Sequence, residues 1–112
     1  MKTPCETAIW YILPAIRREL TRNLVQNIGI RQHNAAQLMG ISDAAVSQYL
    51  SGQRAKFVLT DPEILDEIST TAQRIFHGKE LTADDLCRIC TRIRSKVKIV
   101  NNLTEATGQI NR

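Results

Sequence analysis

Small and hydrogen-bonding side chains occupy one face of the helix that the sequence predicts between Gly40 and Gly52. The apolar Val46 and Tyr49 fall on the other face. The outward positions would be Asp43, Ala44, Ser47, Gln48 and Ser51. A face of small side chains can enter the DNA major groove, which is about 12 Å wide, where serine and glutamine hydrogen-bond base edges and an alanine methyl meets a thymine methyl. The composition therefore favours a face shaped for DNA over a plain solvated helix.

The three cysteines, Cys5, Cys87 and Cys90, are the other residues that could do chemistry. Cys87 and Cys90 are three residues apart, which would bring them to one face of a helix. A structural zinc or iron–sulfur site uses four ligands, so a site built on these cysteines would need another ligand from His33, His77, a partner chain or a small molecule. The alternative is that the cysteines line the core as small hydrophobic side chains.

No arrangement of residues typical of an enzyme accompanies the cysteines. The sequence contains no glycine-rich phosphate loop, no nucleophile elbow and no helix with a paired histidine and glutamate. His33 and His77 stand alone in the sequence, and we expect both to be surface or structural residues. We therefore predict that the protein is not an enzyme.

Length and composition narrow the class of protein. The chain of 112 residues suits one compact domain, so we predict a single domain over residues 1–112. The longest apolar run, residues 8–16, has about half the length that a membrane span needs, and no signal-peptide cleavage pattern surrounds it. These features predict a cytoplasmic protein with no membrane partner.

Charge is distributed unevenly along the chain. The net charge is +4, with seven Lys/Arg against three Asp/Glu in residues 1–60, two against seven in residues 61–85, and six against one in residues 86–112. Basic ends therefore flank an acidic middle. A basic excess of this size is compatible with nucleic-acid binding, and it is also compatible with an ordinary solvated surface.

A helical period of apolar residues covers most of the chain and no segment is typical of a strand, which predicts an all-α bundle of five or six helices. Thr3, Pro4 and Glu6 would begin the first helix. Pro14 has no amide hydrogen, so the helix should kink or restart there. The helical pattern then continues to Gly29, which would end it.

The C-terminal half contains two further helix starts. Asp61 would cap and Pro62 would open a helix that ends at Gly78. Thr82 would cap the last helix, at about residues 82–100. Both helices carry long apolar stripes. We expect one stripe to pack on the preceding helices and part of the other to contact a partner chain; burial of both stripes within one chain is the competing interpretation.

Two helices joined by a turn of three or four residues that contains glycine form a helix-turn-helix, and residues 32–51 have the necessary residue types. Ala36 provides a small side chain where the helices meet, and Gly40 tolerates a left-handed backbone in the turn. The apolar residues that would lock the corner are Ala35, Met39, Ile41, Val46 and Tyr49 or Leu50. The pattern therefore predicts this motif, with its second helix at about residues 43–51.

Residues 32–51 resemble the helix-turn-helix of lambda-repressor-like regulators, because Ala36, Gly40 and Val46 stand where that family places such residues. This match covers about a fifth of the chain. The strings PCE, LPAIRREL and LCRIC give the whole chain a resemblance to small archaeal proteins described as predicted transcriptional regulators. The resemblance implies a helix-turn-helix core at about residues 15–76, followed by a C-terminal helical extension.

Roles in DNA binding follow from this resemblance. It implies base contacts by Ala44, Ser47 and Gln48. It implies phosphate contacts by Gln32, Ser42 and Ser51, with Gln32 also bracing the second helix. Asp43 departs from the expected pattern, because DNA repels a carboxylate that does not accept from a cytosine amine. We expect Asp43 instead to stabilise the start of its helix.

Basic residues just beyond the predicted recognition helix suit a different kind of contact. Arg54 and Lys56 are placed for contacts with phosphates, which increase affinity without carrying sequence information. We expect Arg17, Arg18 and Arg22, in contrast, to form a solvated face of the first long helix.

These observations predict a sequence-specific regulator of transcription that binds double-stranded DNA as a homodimer, with its recognition helix at about residues 43–51. A dimer would place two such helices about 34–36 Å apart on one face of the duplex. The alternative is a redox- or metal-sensing protein on the same scaffold, with an iron–sulfur cluster or zinc held through Cys5, Cys87 and Cys90. A third possibility is an interaction module such as an antitoxin.

Overall fold

Every regular element in the computed structural model, which describes residues 8–55 and 57–96, is a helix. The five α-helices are α1 (Leu13–Arg22), α2 (Gln32–Met39), α3 (Asp43–Ser51), α4 (Pro62–Phe76) and α5 (Ala83–Lys96). The prediction of an all-α chain is therefore confirmed for these residues. The predicted start at Thr3 and the end of the last helix beyond residue 96 lie outside the described residues. No helix in the described ranges is long and apolar enough to cross a membrane.

Wider helical turns extend α1 at both ends. Ala8–Ile12 precedes it and Asn23–Ile28 follows it, both in π-helical geometry. Pro14 lies in the first turn of α1 and has no amide hydrogen to donate to the helical turn Ala8–Ile12 that precedes it. The predicted restart at this proline thus takes the form of a change from π- to α-helical turns. Gly29, with φ of 95°, ends the segment in a left-handed conformation.

Helix α1 is central to the bundle and contacts each of the other four α-helices. Its Ile16 and Leu20 are completely buried. The isoleucines that pack into the same core are Ile64, Ile68 and Ile75 from α4 and Ile89 and Ile93 from α5. Most of both C-terminal apolar stripes is therefore buried within the chain, but Phe76, at the end of the α4 stripe, is 45% exposed. The end of the α5 stripe lies outside the described residues, and contact of part of a stripe with a partner chain stays a prediction.

Helix α5 begins with two reciprocal hydrogen bonds. The backbone N–H of Thr82 donates to Oδ2 of Asp85 (3.0 Å), and the backbone N–H of Asp85 donates to Oγ1 of Thr82 (3.2 Å). Such an arrangement satisfies two backbone donors that the helix itself leaves without partners. The Lys79 ammonium lies 2.7 Å from the same carboxylate oxygen. This hydrogen bond, with those from Thr82, holds the pKa of Asp85 well below its usual range, although burial opposes the shift.

We predict that Asp85→Asn makes the stability of the protein less dependent on acid pH. The folded-state pKa of Asp85 is lowered, so its carboxylate stabilises the fold above its ordinary pKa of about 4 and loses that effect as the pH falls. The variant should be less stable than the wild type by about 1–2 kcal/mol at neutral pH, and the gap should narrow below about pH 4. Urea unfolding at several pH values measures this.

The exposed neighbour Asp84 provides the control for this experiment. Asp84→Asn removes a carboxylate from the same helical turn without removing the cap. It should change the free energy of unfolding by no more than about 0.5 kcal/mol. A difference between Asp85→Asn and wild type that stayed constant from neutral pH to about pH 3 would show that the carboxylate charge is not what stabilises this helix start.

Candidate nucleic-acid interface

Three residues, Gly40, Ile41 and Ser42, join α2 to α3. Gly40 has φ of 70° and ψ of 33°, a left-handed conformation that glycine adopts without steric cost. The turn is closed by two backbone hydrogen bonds to the end of α2, and one of them runs from the N–H of Ile41 to the carbonyl of Ala36 at 3.0 Å. Gly40 thus adopts the left-handed conformation that the sequence predicts, which allows α2 to end and α3 to begin within three residues.

The corner between α2 and α3 is packed by small and medium apolar side chains. Those that are buried are Ala35, Ala36, Met39, Ala45, Val46 and Tyr49. Ile41 and Leu50 are half-buried beside them. The small volume of Ala36, which is 2% exposed, leaves room for α3 to approach α2. One face of α3 is therefore committed to the protein interior, and its opposite face is not.

The opposite face of α3 is open to solvent. Ala44, Ser47 and Ser51 are exposed, and Gln48 is half-buried. Their spacing of three and four residues places them in one row along the helix. Gln32 is exposed at the first position of α2. The structure thus brings the three predicted base-contacting residues together with Ser51, a predicted phosphate contact, on one accessible surface. We call this surface the α3 row and define it as Ala44, Ser47, Gln48 and Ser51.

Two serines predicted to reach phosphates already make hydrogen bonds within the chain. Oγ of Ser42 accepts from the backbone N–H of Ala45 at 3.0 Å and so caps α3. Its hydroxyl hydrogen can still be donated to another group. The hydroxyl of Ser51 donates to the carbonyl of Gln48 at 3.2 Å. A contact from Ser51 to a phosphate would therefore require its hydroxyl to exchange partners.

A histidine and an aspartate connect the first turns of α2 and α3. Nδ1 of His33 lies 3.1 Å from both carboxylate oxygens of Asp43, and both side chains are about two-thirds exposed. His33 is thus a surface residue, as predicted, with a contact that its isolated place in the sequence does not reveal. Asp43 does lie in the first turn of α3, as expected of a residue that stabilises a helix start. The contact places the start of α2, including Gln32, beside the start of α3.

Arg54 folds back on the α3 row. Its Nε donates to Oε1 of Gln48 at 2.8 Å, and its guanidinium carbon lies 5.6 Å from the centre of the Tyr49 ring. The second distance falls within the range of a cation–π contact. Gly52, in a left-handed conformation with φ of 82°, turns the chain so that this return is possible. A residue predicted to contact only phosphates is thus in direct contact with one predicted to read bases.

Arg18 holds the loop that follows α3. Its guanidinium donates from Nη1 to the carbonyl of Ala55 at 2.5 Å and from Nη2 to the carbonyl of Phe57 at 3.1 Å. It also pairs with Glu19 at 3.1 Å, and only 7% of the residue is exposed. The prediction that Arg18 belongs to a solvated face is therefore wrong. A buried guanidinium needs acceptors, and the loop carbonyls supply them.

The loop that Arg18 holds contains a strained backbone position. Ala55 has φ of 70°, and it is the one non-glycine residue with positive φ in the described ranges. A left-handed conformation costs a residue with a side chain about 1–2 kcal/mol. Such a conformation persists only when its surroundings hold it. The bond from Arg18 to the Ala55 carbonyl is the contact that does so here.

Ion pairs neutralise much of the charge on the C-terminal helices. Glu67 of α4 pairs with Arg88 and Arg92 of α5, and Lys96 of α5 pairs with Asp61 at the start of α4. These contacts use acidic groups of residues 61–85 to neutralise basic groups that follow them. The basic excess of the whole chain is therefore not concentrated on the surface formed by α4 and α5.

Three arginines near the α2–α3 corner have no ion pair within the described part of the chain. Arg31 is exposed directly before α2, Arg54 is exposed after α3, and Arg17 is half-buried on α1. Arg17 and Arg54 line one groove of about 460 Å³ together with Ser42. Sequence reasoning did not select Arg17, because a basic residue on a long amphipathic helix is usually solvated. Its place in this groove depends on how α1 packs against α3.

The cysteines do not form a site in the described ranges. Cys87 is exposed and Cys90 is buried, although both lie on α5. Cys5 lies outside the described residues, as does Lys56 among the predicted phosphate contacts. Within residues 8–55 and 57–96, no group of three or more histidine, cysteine, aspartate or glutamate side chains could hold a metal ion. Cys90 packs in the core with the isoleucines of α4 and α5.

Comparison with known protein families, curated proteins and solved structures gives no match to this chain. A function must therefore be inferred from the geometry and charge of the described residues. The features that carry it are the open α3 row, the charged groups around it and the contacts that hold the neighbouring loop.

We predict that Arg18→Lys destabilises the protein by about 1–3 kcal/mol, because one ammonium cannot replace a planar guanidinium that donates to two carbonyls at once. Arg22→Lys is the matched control, since Arg22 lies on the same helix and its side chain is 48% exposed. The control should change the free energy of unfolding by less than about 0.5 kcal/mol. Thermal and urea unfolding measure both variants. Equal stability of the two would mean that Arg18 does not hold the loop.

Proposed function

We propose that this protein is a transcriptional regulator that binds double-stranded DNA sequence-specifically through a lambda-repressor-like helix-turn-helix formed by α2 and α3. The observation that carries the proposal is the open α3 row on a helix whose other face is buried in the corner with α2. A row of Ala, Ser and Gln adds little to a core or to surface charge. It does match the size and hydrogen-bonding pattern of base edges in the major groove.

In this proposal, α3 is the recognition helix, and three residues of the α3 row read the bases. Ala44 can meet a thymine methyl, and Ser47 and Gln48 can hydrogen-bond base edges. The first turn of α2 and the cap of α3 lie beside one another through the contact of His33 with Asp43. This arrangement supports contacts of Gln32 and Ser42 with the phosphate backbone on one side of the recognition helix.

Electrostatics support this orientation on DNA. Arg17, Arg31 and Arg54, which have no ion pair in the described residues, lie near the α2–α3 corner; Arg74 of α4 and Arg94 of α5 also have none. The C-terminal helices, by contrast, neutralise one another through Glu67 and its two arginine partners. Asp43, the carboxylate nearest the α3 row in sequence, lies 3.1 Å from Nδ1 of His33. Phosphates would therefore be attracted to this side of the molecule.

We further propose that the protein acts as a homodimer. A recognition helix of nine residues presents few side chains to bases, so one copy would distinguish only a short sequence. Two copies related by a two-fold axis would read two half-sites about 34–36 Å apart. The core faces of α4 and α5 are occupied within the chain over the described residues, so we do not assign the dimer contact to them.

The proposal predicts that selection from random duplexes yields a palindromic site, and that Gln48→Ala weakens binding to it. The loss should be about 1–3 kcal/mol, which is the discrimination of one good side-chain contact with a base. The loss should be confined to duplexes with the preferred base at one position. Titration of the selected site and its single-base variants, at fixed salt concentration, measures this.

Gln73→Ala provides the control, because Gln73 is an exposed glutamine on α4, away from the α3 row. It should leave affinity and base preference unchanged. Two results would contradict the proposal. One is the absence of any enriched sequence from a folded wild-type protein, and the other is an equal effect of the two glutamine substitutions on specific binding.

A further inference from the structure

We propose that Arg54 is a positioning residue that turns the Gln48 side chain so that its amino group, and not its carbonyl oxygen, faces the DNA bases. The inference rests on the proposed function and specifies what the recognition helix reads. It starts from the 2.8 Å hydrogen bond between Arg54 Nε and Gln48 Oε1. The orientation of the Gln48 amide would determine which base is preferred at one position of the binding site.

The chemistry of the two groups determines the orientation of the amide. A guanidinium has five N–H donors and no acceptor. The amide atom that faces Arg54 must therefore be the oxygen of Gln48, because the amide nitrogen could not accept from it. The amino group then occupies the other branch of the planar amide, directed away from Arg54. No described residue accepts a hydrogen bond from this amino group, so both of its hydrogens can be donated to DNA.

Three sets of contacts keep Arg54 in position. The guanidinium packs over the Tyr49 ring at 5.6 Å, and Tyr49 is itself only 4% exposed. The backbone N–H of Arg54 and that of Gln53 both donate to the Gln48 carbonyl, at 3.3 and 3.0 Å. The next residue, Ala55, is held to α1 by Arg18 at 2.5 Å. Arg54 is thus held at its guanidinium by the buried Tyr49 ring and, through its neighbour Ala55, by the buried Arg18.

An amide that presents only donors distinguishes bases differently from one that presents a donor and an acceptor. In the major groove, guanine offers two acceptors, thymine offers O4, and cytosine offers only a donor. Adenine pairs best with glutamine when the amide oxygen accepts from N6 while the amino group donates to N7. The amide oxygen of Gln48 is engaged by Arg54, so adenine loses half of this recognition and its N6 donor faces an amide that presents only donors. We therefore infer a preference for guanine or thymine at the position that Gln48 contacts, with cytosine the least favoured.

The test compares four duplexes that differ only at the position where Gln48→Ala abolishes base preference. Arg54→Met removes every donor and keeps an apolar stem to pack on Tyr49. It should free the Gln48 oxygen and shift the preference toward adenine by about fivefold or more relative to guanine and thymine. Arg31→Ala is the matched control, because it removes the same charge from an exposed arginine before α2. It should weaken binding to all four duplexes by the same factor.

A second variant tests the same contact by changing the Gln48 side chain in place of Arg54. Gln48→Glu places a carboxylate beside Arg54, so one oxygen should remain paired and the other should face the DNA as an acceptor. The preference at that position should then move to cytosine, whose amino group donates. Circular dichroism and thermal unfolding of each variant show whether it is folded as the wild type is. The expected result is a change of base preference in variants that remain folded.

The outcomes separate this inference from the function on which it rests. A wild-type preference for adenine, or an Arg54→Met variant that weakens all four duplexes equally as Arg31→Ala does, would overturn the positioning role and leave DNA recognition intact. A folded wild-type protein that enriches no sequence would overturn the proposed function, and the inference with it. A preference for guanine or thymine that moves toward adenine only in Arg54→Met supports both.

Discussion

The buried guanidinium of Arg18 is the contact on which the geometry of the candidate interface depends. Its Nη1 donates to the carbonyl of Ala55, and its Nη2 donates to the carbonyl of Phe57, two residues further along the chain. A cation removed from water is costly unless its donors are satisfied, and a left-handed alanine is costly unless it is held. Each of these costs is offset by the same hydrogen bond. The central helix of the bundle is thereby connected to the loop after α3.

That connection extends from the core to the surface. Arg18 fixes Ala55, the chain before Ala55 returns over Tyr49, and Arg54 contacts the Gln48 side chain. The α3 row is therefore held in place in two ways. The buried face of α3 packs in the corner with α2, and the loop after α3 contacts its C-terminal end. Side chains held in this way lose little further conformational entropy on binding. Such preorganisation is what a surface that discriminates between bases requires.

Local signals in the sequence were sufficient to predict most of the helix boundaries. Gly40, the Ser42 cap and the Asp61–Pro62 start each depend on neighbours within four residues, so their physical cause is visible in the sequence itself. Arg18 was assigned wrongly because its partners are 37 and 39 residues away. The contact of His33 with Asp43 is not visible in the sequence for the same reason, since it crosses the turn between two helices. Charged side chains on helices are usually solvated, and only tertiary packing identifies the exceptions.

The most direct test of the central claim, that the open face of α3 contacts DNA, is to follow backbone amide chemical shifts while the protein is titrated with a duplex that carries its selected site. We predict that the largest changes fall in α3, in the first turn of α2 and at Arg54, with small changes in α4. Changes concentrated on α4 and α5, with α3 unaffected at saturating duplex, would contradict the account.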